Sequence, residues 1–281
     1  MRGLSGEILF VRGGDVMIPT IIHYCWFGGK SLTEKAKACI DSWRRYCPDY
    51  EIIEWNESNF DVTQNDYCRE AYEAKKWAFV SDYARLWAIY EHGGIYMDTD
   101  VEVVRPLDPL LKHKAFMGFE DGTSVSIGTF GADKKNSIIG DCLSAYNTRH
   151  FRKVDGSFDM MTNLRLVTDI LVRQHGLKLN GKRQCLTGYL EVYPMESFIA
   201  KDYRTGWILR DDSTYTVHHY AASWFNEDEK HRIELRRSYL CNYIKRVEPI
   251  LNKCAGIRMS YELDGYIGVL NRIKDYIKSR L

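Results

Sequence analysis

Two aspartates, Asp98 and Asp100, follow a short apolar stretch, and their type and spacing suggest chemistry. The stretch 95–97 is apolar, which predicts a buried strand whose edge carries carboxylates. Side chains two residues apart on a strand point the same way. Two carboxylates on one face can hold a hard divalent cation and leave positions open for phosphate oxygens. Such a site would activate a diphosphate leaving group, and the alternative is a D-x-D spacing that arises by chance at a solvated strand end.

The residues before the D-x-D pair predict the elements that position it. The order is strand, helix, strand, helix, helix, strand, which is typical of an open α/β sheet. The predicted elements are a strand at 18–27, a helix that opens with a capping box at 31–34 and ends near Pro48, a strand at 50–55, and helices at 66–74 and 77–92. Ligands of such sheets lie outside the carboxyl ends of the strands. Trp26 and the two aspartates could therefore line one crevice.

The pattern is weaker after the D-x-D pair. Residues 122–131 are small and polar, and predict either a strand pair or a mobile loop. The remaining predictions are a strand at 115–119, a helix at 157–175, extended segments at 189–199 and 213–219, and a mostly helical stretch at 228–281. The expected organisation is a leader at 1–16, an α/β domain at 17–227 and a helical C-terminal extension at 228–281.

The composition excludes several classes of protein. The net charge of +1 over 281 residues provides no overall field that would attract nucleic acid. The eight cysteines form no C-x-x-C pair and are expected to be reduced thiols of a cytoplasmic protein. No apolar run approaches the ~20 residues of a membrane span, so we expect a soluble protein or one peripheral to the inner membrane surface.

Three blocks of this sequence resemble bacterial members of glycosyltransferase family 32. The blocks are IPTIIHYCWFGGK, KWAFVSDYARLWAIYEHGGIYMDTDVEVVRPLDPLL and HHYAASW, and they extend from Ile18 to Trp224. These enzymes act in capsule and surface-polysaccharide synthesis, and the catalytic domains of the large glucosylating toxins are similar to them. The resemblance implies a GT-A fold, a nucleotide-sugar donor, a divalent metal that is usually Mn²⁺ (or Mg²⁺), and retention of the anomeric configuration.

The resemblance also implies roles for residues that would bind the donor. Trp26 matches the tryptophan that stacks on the nucleotide base, and the backbone of Cys25 would contact the base edge. Asp82 and Arg85 match the pair that grips the sugar hydroxyls, and Tyr96 matches a residue beside the diphosphate. From the residues alone, Trp26 could equally be a core side chain, and Asp82 could be a solvated partner of Arg85 at i+3.

The resemblance further implies a metal site. Asp98 would lie near the ribose and sugar, and Asp100 would bind the metal directly. The late motif would complete the metal shell and contact the β-phosphate; its residues are His218, His219, Ser223 and Trp224. The spacing to the serine favours His219 as the ligand, whereas alternation along a strand places the two histidines on opposite faces, so the choice between them stays open.

The predicted function is metal-dependent transfer of a hexose, with UDP favoured over GDP, to a glycan or lipid-linked saccharide acceptor. No residue stands out as a nucleophile on the far face of the sugar, so front-face attack is the expected route. A rival hypothesis is a HAD-like phosphatase with Asp98 as nucleophile and Asp211-Asp212 as its late acidic pair. A second rival is a non-catalytic sugar-binding module, which would not need the full set of acidic, histidine and arginine residues.

The C-terminal segment 231–281 is basic. It holds eleven Lys and Arg residues against five Asp and Glu, and its apolar residues between Tyr261 and Ile277 recur near helical spacing. The segment could lie on anionic lipid as an amphipathic face. The slightly favoured interpretation is a helical cap packed on the catalytic domain, because Gly265 and Gly268 interrupt the helix.

Overall fold

The computed structural model describes residues 18–203, 205–221 and 227–252, together with Lys274 and Lys278. The helices and strands are, in chain order, β1 (Ile21–Cys25), α1 (Glu34–Tyr46), β2 (Glu51–Trp55), α2 (Asp66–Glu73), α3 (Trp77–His92), β3 (Gly94–Met97), β4 (Val101–Val103), β5 (Ala115–Phe119), β6 (Val125–Ala132), α4 (Ser137–Ser144), α5 (Asn163–His175), β7 (Gln184–Leu186), β8 (Leu190–Tyr193), β9 (Thr216–His218) and α6 (Glu227–Asn252).

The main sheet of the described residues is mixed, with the strand order β2-β1-β3-β6-β5-β8-β7. Strand β1 runs parallel to β2 and β3, so the last residues of β1 and β3, Cys25 and Met97, lie at the same edge. Strand β6 runs antiparallel to both of its neighbours, β3 and β5. Strands β4 and β9 form a separate antiparallel pair. The α/β class with an open, helix-flanked sheet, predicted from the sequence, is confirmed.

Helix α3 lies against the sheet and fixes the approach to the D-x-D pair. Its buried face includes Leu86 and Ile89, which are fully buried, because the apolar residues recur at helical spacing. The helix ends at His92 and is capped by Gly93, whose φ is +70°. An ideal Cβ at this position would lie 2.8 Å from the backbone nitrogen of Lys134, so only glycine fits here. The sharp turn there feeds the chain directly into β3.

Three local predictions were wrong. The predicted capping box at 31–34 would make Ser31 the N-cap of helix α1, but the N-cap is Thr33, whose Oγ1 accepts from the backbone N–H of Ala36 at 3.2 Å. The sequence did not distinguish them because serine and threonine both suit an N-cap. The predicted helix at 157–175 begins only at Asn163, since the preceding segment forms a bridge between Arg152 and Phe158. The stretch 122–131 contributes to one strand, β6, which is buried throughout and lies in the middle of the sheet.

The described residues fall into two compact units. The first contains 18–202 and 208–221, and the second contains 203, 205–207 and 227–252 together with Lys274 and Lys278. Helix α6 begins one residue before the predicted C-terminal extension, and the domain division itself stays a prediction. The proposed leader and the apolar stretch from Tyr261 to Ile277, apart from Lys274, lie outside the described residues. Among the helices of the described residues, none has a stretch both long and apolar enough to cross a bilayer.

Candidate active site

The two aspartates lie in the turn that connects β3 to β4. Strand β3 ends at Met97, and the turn is closed by a hydrogen bond from the backbone N–H of Val101 to the carbonyl of Asp98 at 3.0 Å. The backbone N–H of Asp98 donates to the carbonyl of Gly128 on β6 at 2.9 Å. Strand alternation, from which the sequence argument started, is therefore not what brings Asp98 and Asp100 together. The turn and its neighbouring strands do so.

Strand β9 brings a histidine to this turn. His218 pairs in register with Val101 on β4, which places its ring beside the two carboxylates. Ligand atoms of Asp98, Asp100 and His218 all lie within 4.8 Å of one another. The Nε2 atom of His218 is 3.3 Å from Oδ1 of Asp100. Its Nδ1 atom is buried and has no hydrogen-bond partner, which is unusual for a buried polar atom.

The surroundings of these three side chains fit a divalent cation. An ideal Cβ at Gly128 would lie 3.1 Å from Oδ2 of Asp98 and 3.5 Å from Cε1 of His218, so the missing side chain keeps space open beside both groups. Two carboxylates and an imidazole form a donor set that suits Mn²⁺. The unpartnered Nδ1 atom of His218 is a free ligand position. The three residues could thus hold the ion that the resemblance implies.

The neighbouring histidine faces a different partner. His219 lies with its Nε2 atom 2.8 Å from Oε2 of Glu102, while its backbone N–H donates to the carbonyl of Asp100. The two histidines therefore occupy opposite faces, with His218 toward Asp98 and Asp100 and His219 toward Glu102. Metal binding by either histidine stays a prediction, and the geometry favours His218.

Arg85 connects the D-x-D turn to helix α3. Its Nη1 atom is 3.2 Å from Oδ1 of Asp98 and donates to the carbonyl of Ile127 at 2.9 Å, while its Nη2 atom is 3.4 Å from Oδ1 of Asp82. Its guanidinium carbon lies 4.7 Å from the ring centre of Tyr96, and the hydroxyl of Tyr96 donates to Oδ1 of Asp98 at 2.9 Å. These contacts fix a cation and two carboxylates at one edge of the sheet.

The pKa values of three acidic and basic side chains in this site are strongly shifted. Burial, followed by repulsion from Asp98, raises the pKa of Asp82 to about 6 against the attraction of Arg85. Burial opposes ionisation of Asp100 as well, yet the facing His218 lowers the pKa of Asp100 to about 2. Burial similarly disfavours the charged form of His218, but Asp100 raises its pKa to about 9. In the metal-free protein, Asp100 and His218 thus form an ion pair at neutral pH.

The residues predicted to hold the base lie at the same sheet edge. Trp26 directly follows β1, is half-buried, and donates from Nε1 to the carbonyl of Lys30 at 2.5 Å. Its ring packs against the apolar cluster on one side of the sheet, so the structure is compatible with either a stacking platform or a core residue. Cys25 is buried, and burial raises the pKa of its thiol to about 12, which disfavours nucleophilic chemistry at its sulfur. Ser223 and Trp224 lie outside the described residues.

Two residues near the site escaped the sequence analysis. Tyr220 has a φ of +53°, and its ring centre lies 4.3 Å from that of His218. Its hydroxyl donates to Oε1 of Glu120 at 2.6 Å. Glu120 follows β5, 100 residues earlier in the chain, so no local pattern could have related the two. Positive φ at a non-glycine residue beside candidate ligands is a common sign of a constrained functional site.

The acidic pair of the phosphatase hypothesis has a local role. Asp211 is exposed, and its Oδ1 atom accepts from the backbone N–H and the hydroxyl of Ser213, at 2.7 and 2.6 Å. Among the described residues, the three-ligand cluster contains neither Asp211 nor Asp212. The arrangement gives the phosphatase hypothesis no support.

Comparison with known proteins identifies the region that carries the D-x-D pair. Residues 33–117 match the family described as the glycosyltransferase sugar-binding region containing a DXD motif. This region is similar to that family over 85 of the 281 residues. It includes Asp82, Arg85, Asp98 and Asp100, whereas His218 lies outside it. The resemblance to DXD-containing glycosyltransferases drawn from the sequence is confirmed.

Curated relatives are similar over part of their length. Inositol phosphoceramide mannosyltransferase 3 of Schizosaccharomyces pombe is 32% identical over 130 residues, covering 43% of this chain and 35% of the relative. Inositol phosphoceramide mannosyltransferase 1 of the same yeast is 28% identical over 151 residues, covering 48% and 46%. The chain thus spans less than half the length of these relatives. Among solved structures, the PaToxG glycosyltransferase matches with a TM-score of 0.42 and 20% identity, covering 56% of this chain and 70% of that one.

Proposed function

We propose that this protein is a metal-dependent glycosyltransferase that moves a hexose from a nucleotide sugar to a glycan or lipid-linked saccharide, with retention of anomeric configuration. The observation that carries the proposal is the convergence of Asp98, Asp100 and His218 beside Arg85 at the carboxyl edge of the sheet. The DXD family match supports the reaction class. The relatives that are named mannosyltransferases support a hexose donor and a phosphate-containing lipid acceptor.

Asp98, Asp100 and His218 would hold the divalent cation. A bound cation would act as a Lewis acid that stabilises the negative charge of the leaving diphosphate, a contribution of several kcal/mol. Asp100 is ionised at neutral pH, and His218 must release its proton to bind metal, since only the neutral imidazole is a ligand. The guanidinium of Arg85 would hold Asp98 in place through their contact at 3.2 Å.

Donor recognition would use the elements that flank this cluster. Asp82 and Arg85, one helical turn apart on α3, present an acceptor and a fork of donors to sugar hydroxyls. Trp26 would stack on the base, an interaction worth ~1–3 kcal/mol in nucleic-acid binders. We propose front-face attack by the acceptor hydroxyl, UDP as the nucleotide, and action at the cytoplasmic face of a membrane on surface polysaccharide or glycolipid.

A donor panel tests the proposal. Purified protein is incubated with Mn²⁺ and each of UDP-glucose, UDP-galactose, UDP-N-acetylglucosamine and GDP-mannose, and thermal shift identifies the donor. A donor at 100 times its dissociation constant should stabilise the fold by ~2.7 kcal/mol. Release of nucleoside diphosphate, with and without saccharide acceptors, then measures turnover.

Two matched variants separate the transferase from the phosphatase hypothesis. Asp100→Asn should abolish metal-dependent turnover, whereas Asp211→Asn, at an exposed carboxylate, should leave it unchanged. No donor stabilising the protein, or turnover that persists for Asp100→Asn in chelator, would contradict the proposal. Loss of activity in Asp211→Asn, with accumulation of a phospho-enzyme in the presence of a phosphate mimic, would favour the phosphatase.

A further inference from the structure

A second cleft lies away from the D-x-D turn and carries an excess of positive charge. It encloses about 320 Å³, and the charged side chains that line it are all basic: Arg105, Lys112 and Arg183. Two tyrosines, Tyr193 and Tyr215, are also part of its wall. We refer to these five residues as the basic cleft. None of them belongs to the candidate active site.

The β4–β9 ladder separates the two sites. At one end of the ladder Val101 pairs with His218 beside the D-x-D turn, and at the other end Val103 pairs with Thr216. Arg105 follows two residues beyond this second end. The five residue-to-residue steps from Asp100 to Arg105 span at most about 18 Å when fully extended. The basic cleft is thus a nearby but distinct site on the same unit.

Aromatic rings hold the two arginines of the basic cleft in place. The guanidinium of Arg105 lies 5.0 Å from the ring centre of Tyr215, and that of Arg183 lies 4.6 Å from the ring centre of Tyr193. Arg105 also donates from Nη1 to the backbone carbonyl of Asp212. A guanidinium held over a ring retains its in-plane donors for a ligand. The arrangement therefore presents oriented donors at low entropic cost.

Most of these donors have no partner among the described residues. Arg183 bonds Glu191 through Nε at 2.5 Å, which leaves its two terminal amino groups available. Arg105 uses Nη1 alone, and Lys112 makes no hydrogen bond or ion pair with the part of the chain that the structure describes. One carboxylate thus offsets three cations. The remaining charge of about +2 matches a phosphate monoester, which carries about −1.5 to −2 at pH 7.

We propose that the basic cleft binds a phosphate group, separately from the donor diphosphate at the D-x-D turn. Arginine provides a fork that matches phosphate oxygens, and lysine adds a point charge, so the three side chains together favour phosphate over a singly charged carboxylate. Two sources share this chemistry, a soluble phosphate ester and a lipid headgroup. The loop that leads to Ser213 in the cleft wall also exposes Ile208 and Leu209, at 52% and 48%, which makes a lipid surface a relevant probe.

Calorimetry on the full chain tests the proposal. Glycerol 3-phosphate and inorganic phosphate are titrated in the presence of EDTA, so that metal-mediated binding at the D-x-D turn does not contribute. Arg105→Gln should weaken binding at least ~10-fold, the size expected for loss of a charge-assisted hydrogen bond. Arg105→Lys keeps the positive charge but not the forked donors of arginine, so its phosphate affinity should lie between those of the wild type and Arg105→Gln. Arg69→Gln, at a partly exposed arginine of α2, is the matched control and should bind as the wild type does.

Vesicle sedimentation distinguishes the sources. Vesicles of phosphatidylcholine with phosphatidic acid, whose headgroup is a phosphate monoester, are compared with phosphatidylcholine alone. Binding only to the vesicles with phosphatidic acid, if it is lost in Arg105→Gln, supports a lipid headgroup as the ligand. Binding of soluble phosphate without vesicle binding, if it is lost in the same variant, supports a soluble ester. If Arg105→Gln does not fold, Lys112→Gln at an exposed residue replaces it. Affinities for both probes that are unaffected by these changes, or equally reduced in Arg69→Gln, would overturn the proposal.

Discussion

Replacing Asp82 by asparagine should stabilise this protein at neutral pH. The side chain of Asp82 is only 15% exposed, and burial raises its pKa to about 6 from an ordinary value of 3.8. A raised pKa means that the folded protein holds the proton more tightly than the unfolded chain does. The stability that this difference provides is complete below pH 3.8 and is lost as the pH rises through about 6. Above pH 6 the ionised carboxylate is a net cost.

The size of that cost follows from the shift. About two pKa units at roughly 1.36 kcal/mol each give about 3 kcal/mol at pH 8 and, by the same relation, about 1 kcal/mol near pH 4.5. Asparagine has the shape of the aspartate without its charge. The gain of Asp82→Asn over wild type should therefore be about 2 kcal/mol larger at pH 8 than near pH 4.5. The donor-binding role proposed for Asp82 would make this cost an example of the trade-off between stability and activity.

Urea unfolding of metal-free protein at the two pH values measures this difference. Asp66→Asn is a useful control, because a hydrogen bond from Arg69 lowers the pKa of Asp66 and the sign reverses: that variant should lose stability relative to wild type as the pH rises. The reasoning is refuted if the offset between Asp82→Asn and wild type is the same at both pH values, or if it shrinks toward pH 8.

Three further outcomes are expected at the candidate site. Asp100→Asn should cut the transfer rate by at least ~10²-fold in a donor-turnover assay, and full activity would exclude it as a metal ligand. Gly128→Ala should weaken Mn²⁺ binding ~10- to 100-fold by calorimetry, because its Cβ would lie 3.1 Å from Oδ2 of Asp98; unchanged affinity would place the ion elsewhere. Trp26→Ala should raise the nucleotide dissociation constant by ~5- to 100-fold with an unchanged circular dichroism spectrum, whereas unfolding at unchanged affinity would make Trp26 a core residue.

The sequence alone determined the elements around the D-x-D pair. Apolar residues at helical spacing predicted α3 within its observed bounds at Trp77 and His92, and the following glycines and apolar residues predicted β3. These signals are local, because helix and strand periods relate residues only a few positions apart. The family match extends over the same stretch, so both the fold class and the similarity to DXD-containing glycosyltransferases were predictable there.

The tertiary structure decided how the site is assembled. Asp98 and Asp100 were predicted to converge, but a turn brings them together rather than a strand face. The register of β4 against β9 places His218 at the carboxylates and His219 at Glu102, a choice that spacing left open. Register depends on pairing between segments more than 100 residues apart, which no local pattern encodes.

The same limit explains what the sequence did not reveal. Small polar residues at 122–131 have weak strand preference, yet the buried middle of the sheet makes β6 a strand, because context there outweighs intrinsic propensity. Tyr220 meets Glu120 across 100 residues, and the basic cleft gathers side chains from four separate segments. The sequence predicted the local helices and strands from residue types and spacing, whereas the partners of each side chain depended on tertiary packing.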